Sequence, residues 1–124
     1  MTRIIPTLRY DDAPEAIDWL CTTLGFEVRA RHDGEGGRVD HAQLVLGEAM
    51  VMLGTVAAGE EPVRPTLYLQ LDSDAAVDAA HDRAVAAGAE ITMAKQDMDY
   101  GGRAFTVRDP GGVSWSYGSY DPWA

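Results

Sequence analysis

The stretch that decides the fold is residues 103–118, RAFTVRDPGGVSWSYG. Polar and apolar side chains alternate on both sides of Asp109-Pro110-Gly111-Gly112, as in strands that bury one face. An Asp-Pro-Gly-Gly sequence is a strong turn signal, because proline fixes φ and glycine accepts positive φ. The stretch therefore predicts two strands, over 103–109 and 113–118, joined by a tight turn.

The sequence before this hairpin predicts a strand, a helix and a further strand. Residues 66–71 form the first strand candidate, and Ser73-Asp74 is suited to cap a helix that runs to about Ala87. Gly88 ends that helix, and the next strand covers about 90–94. The second half of the chain is therefore predicted to fold as βαβββ.

The first half repeats this order. A strand over 3–10 leads into a helix start at 11–15, and Gly25 ends that helix. A displacement of 63 residues pairs Asp11 with Asp74 and Gly25 with Gly88. Three further strands are predicted at 26–31, 39–46 and 49–54. We therefore predict an α+β fold in which two βαβββ modules form curved, mostly antiparallel sheets around a cleft. The predicted divisions of this single domain, residues 1–124, are module one at about 1–56, a linker at about 57–63, module two at about 64–119 and a C-terminal tail at 120–124.

Composition limits the partners of this domain. Twenty acidic and ten basic residues give a formal net charge of −10, which argues against nucleic acid or an anionic membrane as partner. Such a charge attracts a cationic ligand, although solubility is the simpler explanation. Cys21 is the only cysteine, so neither an internal disulfide nor a multi-cysteine metal site is available. No long apolar run or signal peptide is recognisable, and we expect a cytoplasmic protein.

Three stretches carry a family resemblance. They are residues 11–20, DDAPEAIDWL, with Leu24-Gly25-Phe26; residues 41–44, HAQL; and residues 100–112, YGGRAFTVRDPGG. Together they resemble the vicinal-oxygen-chelate superfamily, which includes glyoxalases, extradiol dioxygenases and bleomycin-resistance proteins. The third stretch is most similar to the bleomycin-resistance and related glyoxalase-like branch. The resemblance covers essentially the whole chain, and it implies a homodimer whose clefts are shared between chains.

The resemblance also locates the metal-ligand positions. Metal-dependent members use four ligands, usually His and Glu, one from each of four strands. The matching positions of this chain are Ile5, Met52, Thr66 and Ser116. Isoleucine and methionine do not bind hard divalent metals, and hydroxyls are poor substitutes for His or carboxylate. We therefore expect no metal and no cofactor.

Strand alternation predicts which side chains line the cleft. They mix flexible apolar groups with hydrogen-bonding groups, as expected for a small organic ligand that is partly planar or aromatic. The predicted ligand-binding residues are Arg9, His41, Gln43, Met50, Met52, Thr66, Tyr68, Gln70, Tyr100, Arg108 and Ser116.

Several of these side chains have two interpretations. His41 is the candidate catalytic residue, as a general base or hydrogen-bond donor, or else a histidine satisfied by the neighbouring turn. Tyr100 stacks on a ligand from a mobile lid, or simply belongs to a hairpin loop. Arg108 holds a ligand anion or pairs with a carboxylate. Of the remaining candidates, His32 and His81 are expected in solvent and Cys21 in the core.

Two functions remain open at this point. The first is a metal-independent protein that binds or sequesters a drug-like molecule, or an aromatic or cationic metabolite. The second is a glyoxalase-like lyase or isomerase, or a dioxygenase, using acid–base chemistry at His41 or an unrecognised metal site. We prefer the first, with the family analogy as its main support.

Overall fold

The computed structural model describes residues 1–124 as two compact units, Met1–Val63 and Arg64–Ala124. Each unit consists of one four-stranded sheet and one helical segment. Unit 1 contains β1 (Thr7–Tyr10), α1 (Ala13–Trp19) with a π-helical turn (Leu20–Leu24), β2 (Glu27–Asp33), β3 (Val39–Leu46) and β4 (Ala49–Thr55). Unit 2 contains β5 (Thr66–Gln70), α2 (Asp74–Ala86), β6 (Glu90–Asp97), β7 (Arg103–Arg108) and β8 (Ser114–Gly118). Neither helix is long and apolar enough to span a membrane.

In unit 1 the strand order is β1-β4-β3-β2, with β1 parallel to β4 and the other pairs antiparallel. The α1 helix begins where the Asp12 carboxylate accepts a hydrogen bond from the Glu15 backbone N–H at 3.1 Å. The helical segment ends at Gly25, whose φ of 86° is the left-handed conformation that glycine adopts without strain. Ile17 and Leu20 of the helical segment, and Leu44 of β3, are all buried in the core.

Unit 2 repeats this arrangement with strand order β5-β8-β7-β6. The Ser73 hydroxyl caps α2 by accepting a hydrogen bond from the Ala76 N–H at 3.1 Å. The core is more aromatic than that of unit 1: Trp115 is fully buried, and Phe105 stacks on Tyr117 with ring centroids 5.2 Å apart. Burial of each such ring contributes about 1.5–3 kcal/mol to folding.

A buried carboxylate holds the turn between β7 and β8. Asp109 accepts hydrogen bonds from the backbone N–H groups of Gly111 and Val113, at 2.9 and 3.0 Å. Its second oxygen accepts the indole N–H of Trp115 at 3.0 Å. The residue is only 4% exposed, so in the folded protein these donors replace water as the hydrogen-bond partners of its carboxylate. The turn signal in the sequence therefore also anchors the largest side chain of the core.

The structure confirms the predicted fold class: two βαβββ modules, each with a mixed, mostly antiparallel sheet. The main local difference is at β1, which begins at Thr7 and not at residue 3, so that Ile4 is 93% exposed. Pro6 has no N–H to donate to the ladder, and only its carbonyl pairs, with Met52. The β6 strand continues to Asp97, beyond the predicted residue 94, because bulges let it follow β7.

Candidate functional site

Each sheet has a face covered by the helix of its own unit and an opposite face, here called the open face. The open face of unit 1 carries Thr7, Arg9, His41, Gln43, Val45, Met50 and Met52, with their strand neighbours buried towards α1. The open face of unit 2 carries Thr66, Tyr68, Gln70, Thr106, Arg108, Ser114 and Ser116. Each unit therefore gathers its own predicted strand residues on a single face.

His41 belongs to a short hydrogen-bonded chain on the open face of unit 1. Arg29 Nη1 donates to Gln43 Oε1 at 3.2 Å, and Gln43 Nε2 lies 3.2 Å from His41 Nε2. His32, on the neighbouring strand, stacks beside His41 with ring centroids 6.3 Å apart. The contacts of His41 thus run along the sheet and do not involve the neighbouring turn.

This chain fixes the tautomer of neutral His41. A guanidinium only donates, so Arg29 orients the Gln43 amide with its oxygen towards Arg29 and its NH2 group towards His41. The amide nitrogen also only donates, and His41 Nε2 must therefore accept. The ring proton then lies on Nδ1, which makes no hydrogen bond of its own.

Arg9 lies over a glycine on the same face. Its partner on β4 is Gly54, and a Cβ placed there would come within 3.1 Å of Arg9 Nη1 and 2.9 Å of the Asp40 carbonyl oxygen. Gly54 thus leaves room for the Arg9 guanidinium beside β4. Arg9 forms no ion pair.

Methionines supply the apolar part of this face. Met52 pairs with Thr7 on one side and Gln43 on the other, and Met50 pairs with Val45. Both methionines are half-buried, so their flexible thioether chains remain accessible beside the polar groups. The face combines adaptable apolar contact with donors of fixed position.

The open face of unit 2 is rich in hydroxyl groups. Ser116 lies between Tyr68 of β5 and Thr106 of β7 in the sheet, and its Oγ lies 2.7 Å from Thr106 Oγ1. Thr66 pairs with Ser114 one step along the ladder. These groups both donate and accept, so this face can match either kind of polar group on a ligand.

Three tyrosines form a partly exposed cluster beside these hydroxyls. Tyr68 donates from its hydroxyl to the Tyr120 carbonyl oxygen at 2.7 Å, and Tyr100 meets the Tyr120 ring edge-on with centroids 4.9 Å apart. The Tyr68 ring lies over Gly118, where a Cβ would come within 2.7 Å of a ring carbon. Burial, and then the neighbouring Tyr100, raises the pKa of Tyr68.

The arginines of unit 2 pair with carboxylates. Arg108 donates to Glu90 at 3.3 Å, in agreement with the pairing interpretation of this residue. Arg103, on β7, contacts Asp78 and Asp97, each at 2.8 Å. These pairs are partly exposed, and exposed pairs contribute little to stability.

Three other candidates from the sequence lie away from the open faces or at their edge. His32 is exposed, as expected, on the edge strand β2. His81 was expected in solvent but is half-buried, with its ring edge-on to Phe105 at 5.1 Å and its Nδ1 without a hydrogen-bond partner. Cys21 is also only half-buried, and burial followed by the charges of Asp18 and Glu27 raises the pKa of its thiol.

The metal-ligand positions do not fit a divalent metal. Ile5 and Met52 belong to unit 1, whereas Thr66 and Ser116 belong to unit 2, where the Ser116 hydroxyl bonds to Thr106. No cluster of three or more His, Cys, Asp or Glu side chains is arranged to hold a metal ion. None of these four side chains is a usual ligand of a hard or borderline divalent metal.

Two contributors to the open faces escaped the sequence analysis. Arg29 was not recognised because a bulge between Val28 and Ala30 breaks the alternation of β2 and turns its side chain towards Gln43. Gly54 was missed because it makes room for a neighbour and carries no chemistry of its own. An isolated glycine within a strand is the signal that marks such a close approach.

The chain belongs to the Glyoxalase/Bleomycin resistance protein/Dioxygenase superfamily, whose family model matches residues 4–117. This confirms the resemblance found in the sequence. An uncharacterized protein of Mycobacterium bovis is 32% identical over 126 residues, covering 91% of this chain and 80% of that protein.

Two solved structures illustrate the shared fold. TioX from Micromonospora sp. ML1 is 29% identical with a TM-score of 0.80, covering 95% of this chain and 98% of TioX. A lactoylglutathione lyase from Agrobacterium tumefaciens has a TM-score of 0.72 at 20% identity, covering 95% of this chain and 93% of the lyase. At this lower identity the likeness concerns the fold alone.

Proposed function

We propose that this protein binds or sequesters a small organic molecule, drug-like or an aromatic or cationic metabolite, on the open faces of its units without a metal. The observation that carries the proposal is the composition of those faces. Each presents accessible apolar or aromatic side chains, such as Met52 and Tyr68, beside hydrogen-bonding groups, as small-molecule sites do. The donor set Ile5, Met52, Thr66 and Ser116 supports independence from metal.

The predicted ligand-binding residues have distinct roles in this proposal. The methionines and tyrosines provide shape-adaptable contact, and the polar groups orient the ligand. The acidic net charge of −10 favours a cationic guest at long range. In this proposal the protein is a cytoplasmic homodimer, and resistance to an antibiotic is one outcome of sequestration. Sedimentation analysis tests the dimer.

A thermal-shift screen tests binding directly. Protein treated with EDTA is screened against cationic antibiotics, aromatic metabolites and glutathione adducts, with and without added Ni²⁺, Zn²⁺ or Fe²⁺. A ligand at 100 times its Kd stabilises the folded state by about 2.7 kcal/mol, which gives a clear shift in Tm. We expect at least one class to stabilise the EDTA-treated protein.

Variants then locate the site. Met52→Ala and Ser116→Ala change the open faces, whereas Asp82→Asn changes an exposed residue of α2 and serves as the control. We expect the first two to reduce the ligand-induced shift and the control to retain it. Stabilisation that appears only with added metal, or none with any compound, would contradict the proposal.

An enzymatic role for His41 is the second candidate. It is favoured by the unengaged Nδ1 of that residue, which is available for proton transfer to or from a ligand. Turnover assays with the glutathione–methylglyoxal hemithioacetal and with catechols plus O2 test the lyase, isomerase and dioxygenase activities. Activity that is lost in His41→Ala would establish an enzyme, and turnover by neither route leaves the binding role.

A further inference from the structure

We propose that the open face of unit 1 contains a carboxylate-binding subsite, which holds an anionic oxygen of the ligand between the Arg9 guanidinium and the Nδ1–H of His41. This proposal rests on the proposed function and specifies the ligand class for one of its faces. The ligand is an aromatic acid, with its carboxylate on these donors and its apolar part over the methionines.

The first argument is the pairing state of the arginines. The arginines of this chain have different partners: Arg31 pairs with a carboxylate, whereas Arg38 and Arg64 donate to backbone carbonyls. Arg103 and Arg108 of unit 2 both pair with carboxylates. On the open face of unit 1, Arg9 forms no ion pair, and Arg29 donates to the neutral amide of Gln43. Two positive charges on this face are therefore without a carboxylate partner.

The second argument is where the nearby acids point. The Asp33 carboxylate pairs with Arg31, whose partner across the sheet, Ala42, is buried on the helix side. The Asp40 carboxylate lies against Gly34 in the turn. Glu27 pairs with Val45, four residues along β3 from His41, so it lies at the other end of this face. The part of the face around His41 therefore carries two arginine side chains, neither of which pairs with a carboxylate.

The third argument is the fixed donor on His41. Because Gln43 occupies Nε2, the proton lies on Nδ1, where it is free to donate. Gly54, beside the bulge at Asp40, leaves room for the Arg9 guanidinium on the same part of the sheet. A guanidinium together with a neutral N–H donor matches the two oxygens of a carboxylate.

Matched pairs of ligands test the subsite. Benzoate, 2-naphthoate and indole-3-acetate are each compared with their uncharged carboxamides, by calorimetry and by backbone amide shifts in NMR. We expect the acids to bind more tightly than the amides, with shifts around Arg9, His41 and Gln43. Arg9→Gln should weaken binding of the acids by about 10- to 100-fold, as for loss of a charge-assisted hydrogen bond, and binding of the amides by less than about 3-fold.

Arg31→Gln is the control, because it makes the same substitution at an arginine of unit 1 that lies on the helix side of the sheet and already pairs with Asp33. Equal losses for both variants, or acids that bind no better than amides, would overturn the subsite. Amides or cationic compounds that still bind would leave the proposed function intact, so the two failures are distinguishable. Circular dichroism verifies that Arg9→Gln is folded.

The tautomer provides a readout that needs no ligand. Long-range ¹H–¹⁵N correlations of the His41 ring should show a protonated Nδ1 and an unprotonated Nε2. Gln43→Leu removes the amide donor, and we expect the ring to change to a mixture of tautomers. A wild-type ring protonated at Nε2 would contradict the proposal, whatever the binding data show.

Discussion

The two units share one frame and differ on their open faces. In both sheets the strands, numbered along the chain, lie in the order first, fourth, third, second. In both units the helix begins with a side-chain cap, and the fourth strand contains a glycine. Unit 1 presents unpaired cationic donors and methionines, whereas unit 2 presents hydroxyls, a tyrosine cluster and paired arginines. The helix-side residues therefore define the frame, and the open-face residues can change without altering it.

The units also differ in how their last hairpin is closed. The β3–β4 turn of unit 1 needs only Gly47, with a φ of 58°, and Glu48, because Leu46 pairs directly with Ala49. The β7–β8 turn of unit 2 is longer and depends on the buried Asp109 carboxylate. A longer turn needs side-chain acceptors for backbone groups that no strand partner satisfies.

The largest effect is expected at this turn. Asp109→Ala removes the acceptor of three hydrogen bonds, two from backbone N–H groups and one from the buried Trp115 indole, at a cost of about 3 kcal/mol or more of unfolding free energy. Glu48→Ala, in the corresponding turn of unit 1, should stay within about 0.5 kcal/mol. Urea unfolding followed by circular dichroism measures both. Similar losses for the two variants would show that the hairpins are closed in the same way.

The next effect separates the two strand glycines. A methyl group at Gly54 would come within 2.9 Å of the Asp40 carbonyl oxygen, and backbone cannot move aside cheaply. At Gly118 it would meet only the ring of Tyr68, which can rotate away. We expect Gly54→Ala to cost about 1–3 kcal/mol.

Gly118→Ala should be close to neutral, because the strand gains about 0.5–1 kcal/mol from the added methyl group while it loses the Tyr68–Tyr120 hydrogen bond. Chemical unfolding of both variants, under identical conditions, gives the comparison. A larger loss for Gly118→Ala than for Gly54→Ala would mean that the tyrosine cluster is the more rigid of the two environments.

The helix caps should contribute about equally to the stability of the two units. Asp12→Ala and Ser73→Ala each remove one acceptor from an N-terminal N–H group, and each should cost about 1 kcal/mol. Equilibrium unfolding measures the two losses. Asp12→Asn and Ser73→Thr, which retain a capping oxygen, are the controls and should recover most of the stability. If only one of the two alanine variants lost stability, the helix caps would not be equivalent, and the frame that the units share would consist of the sheets alone.

The sequence predicted the frame because turns, caps and alternation are local signals. The Asp109–Gly112 turn, the Ser73 cap and the glycine stops at Gly25 and Gly88 each act within a few residues. The open-face chemistry depends on contacts between strands. The position of Arg29 follows from a bulge, and the tautomer of His41 follows from a neighbour's amide, so neither is visible in a linear pattern.

The smallest effect concerns the ion-pair network at Asp78 of α2, for which unit 1 has no counterpart on α1. Hydrogen bonds from Lys95 and Arg103 lower the pKa of this carboxyl. A carboxyl whose pKa is lower in the folded state stabilises the fold above its ordinary pKa, about 3.9, and this contribution disappears as the pH falls through the lower folded value.

Asp78→Asn cannot ionise, so the difference in unfolding free energy between wild type and variant should be constant near neutral pH and shrink below about pH 4. Urea unfolding from pH 7 to pH 3 measures that difference, and one that stays constant or grows towards acid would mean that the network does not stabilise unit 2. Added salt should reduce the difference at neutral pH as well, because the network is partly exposed.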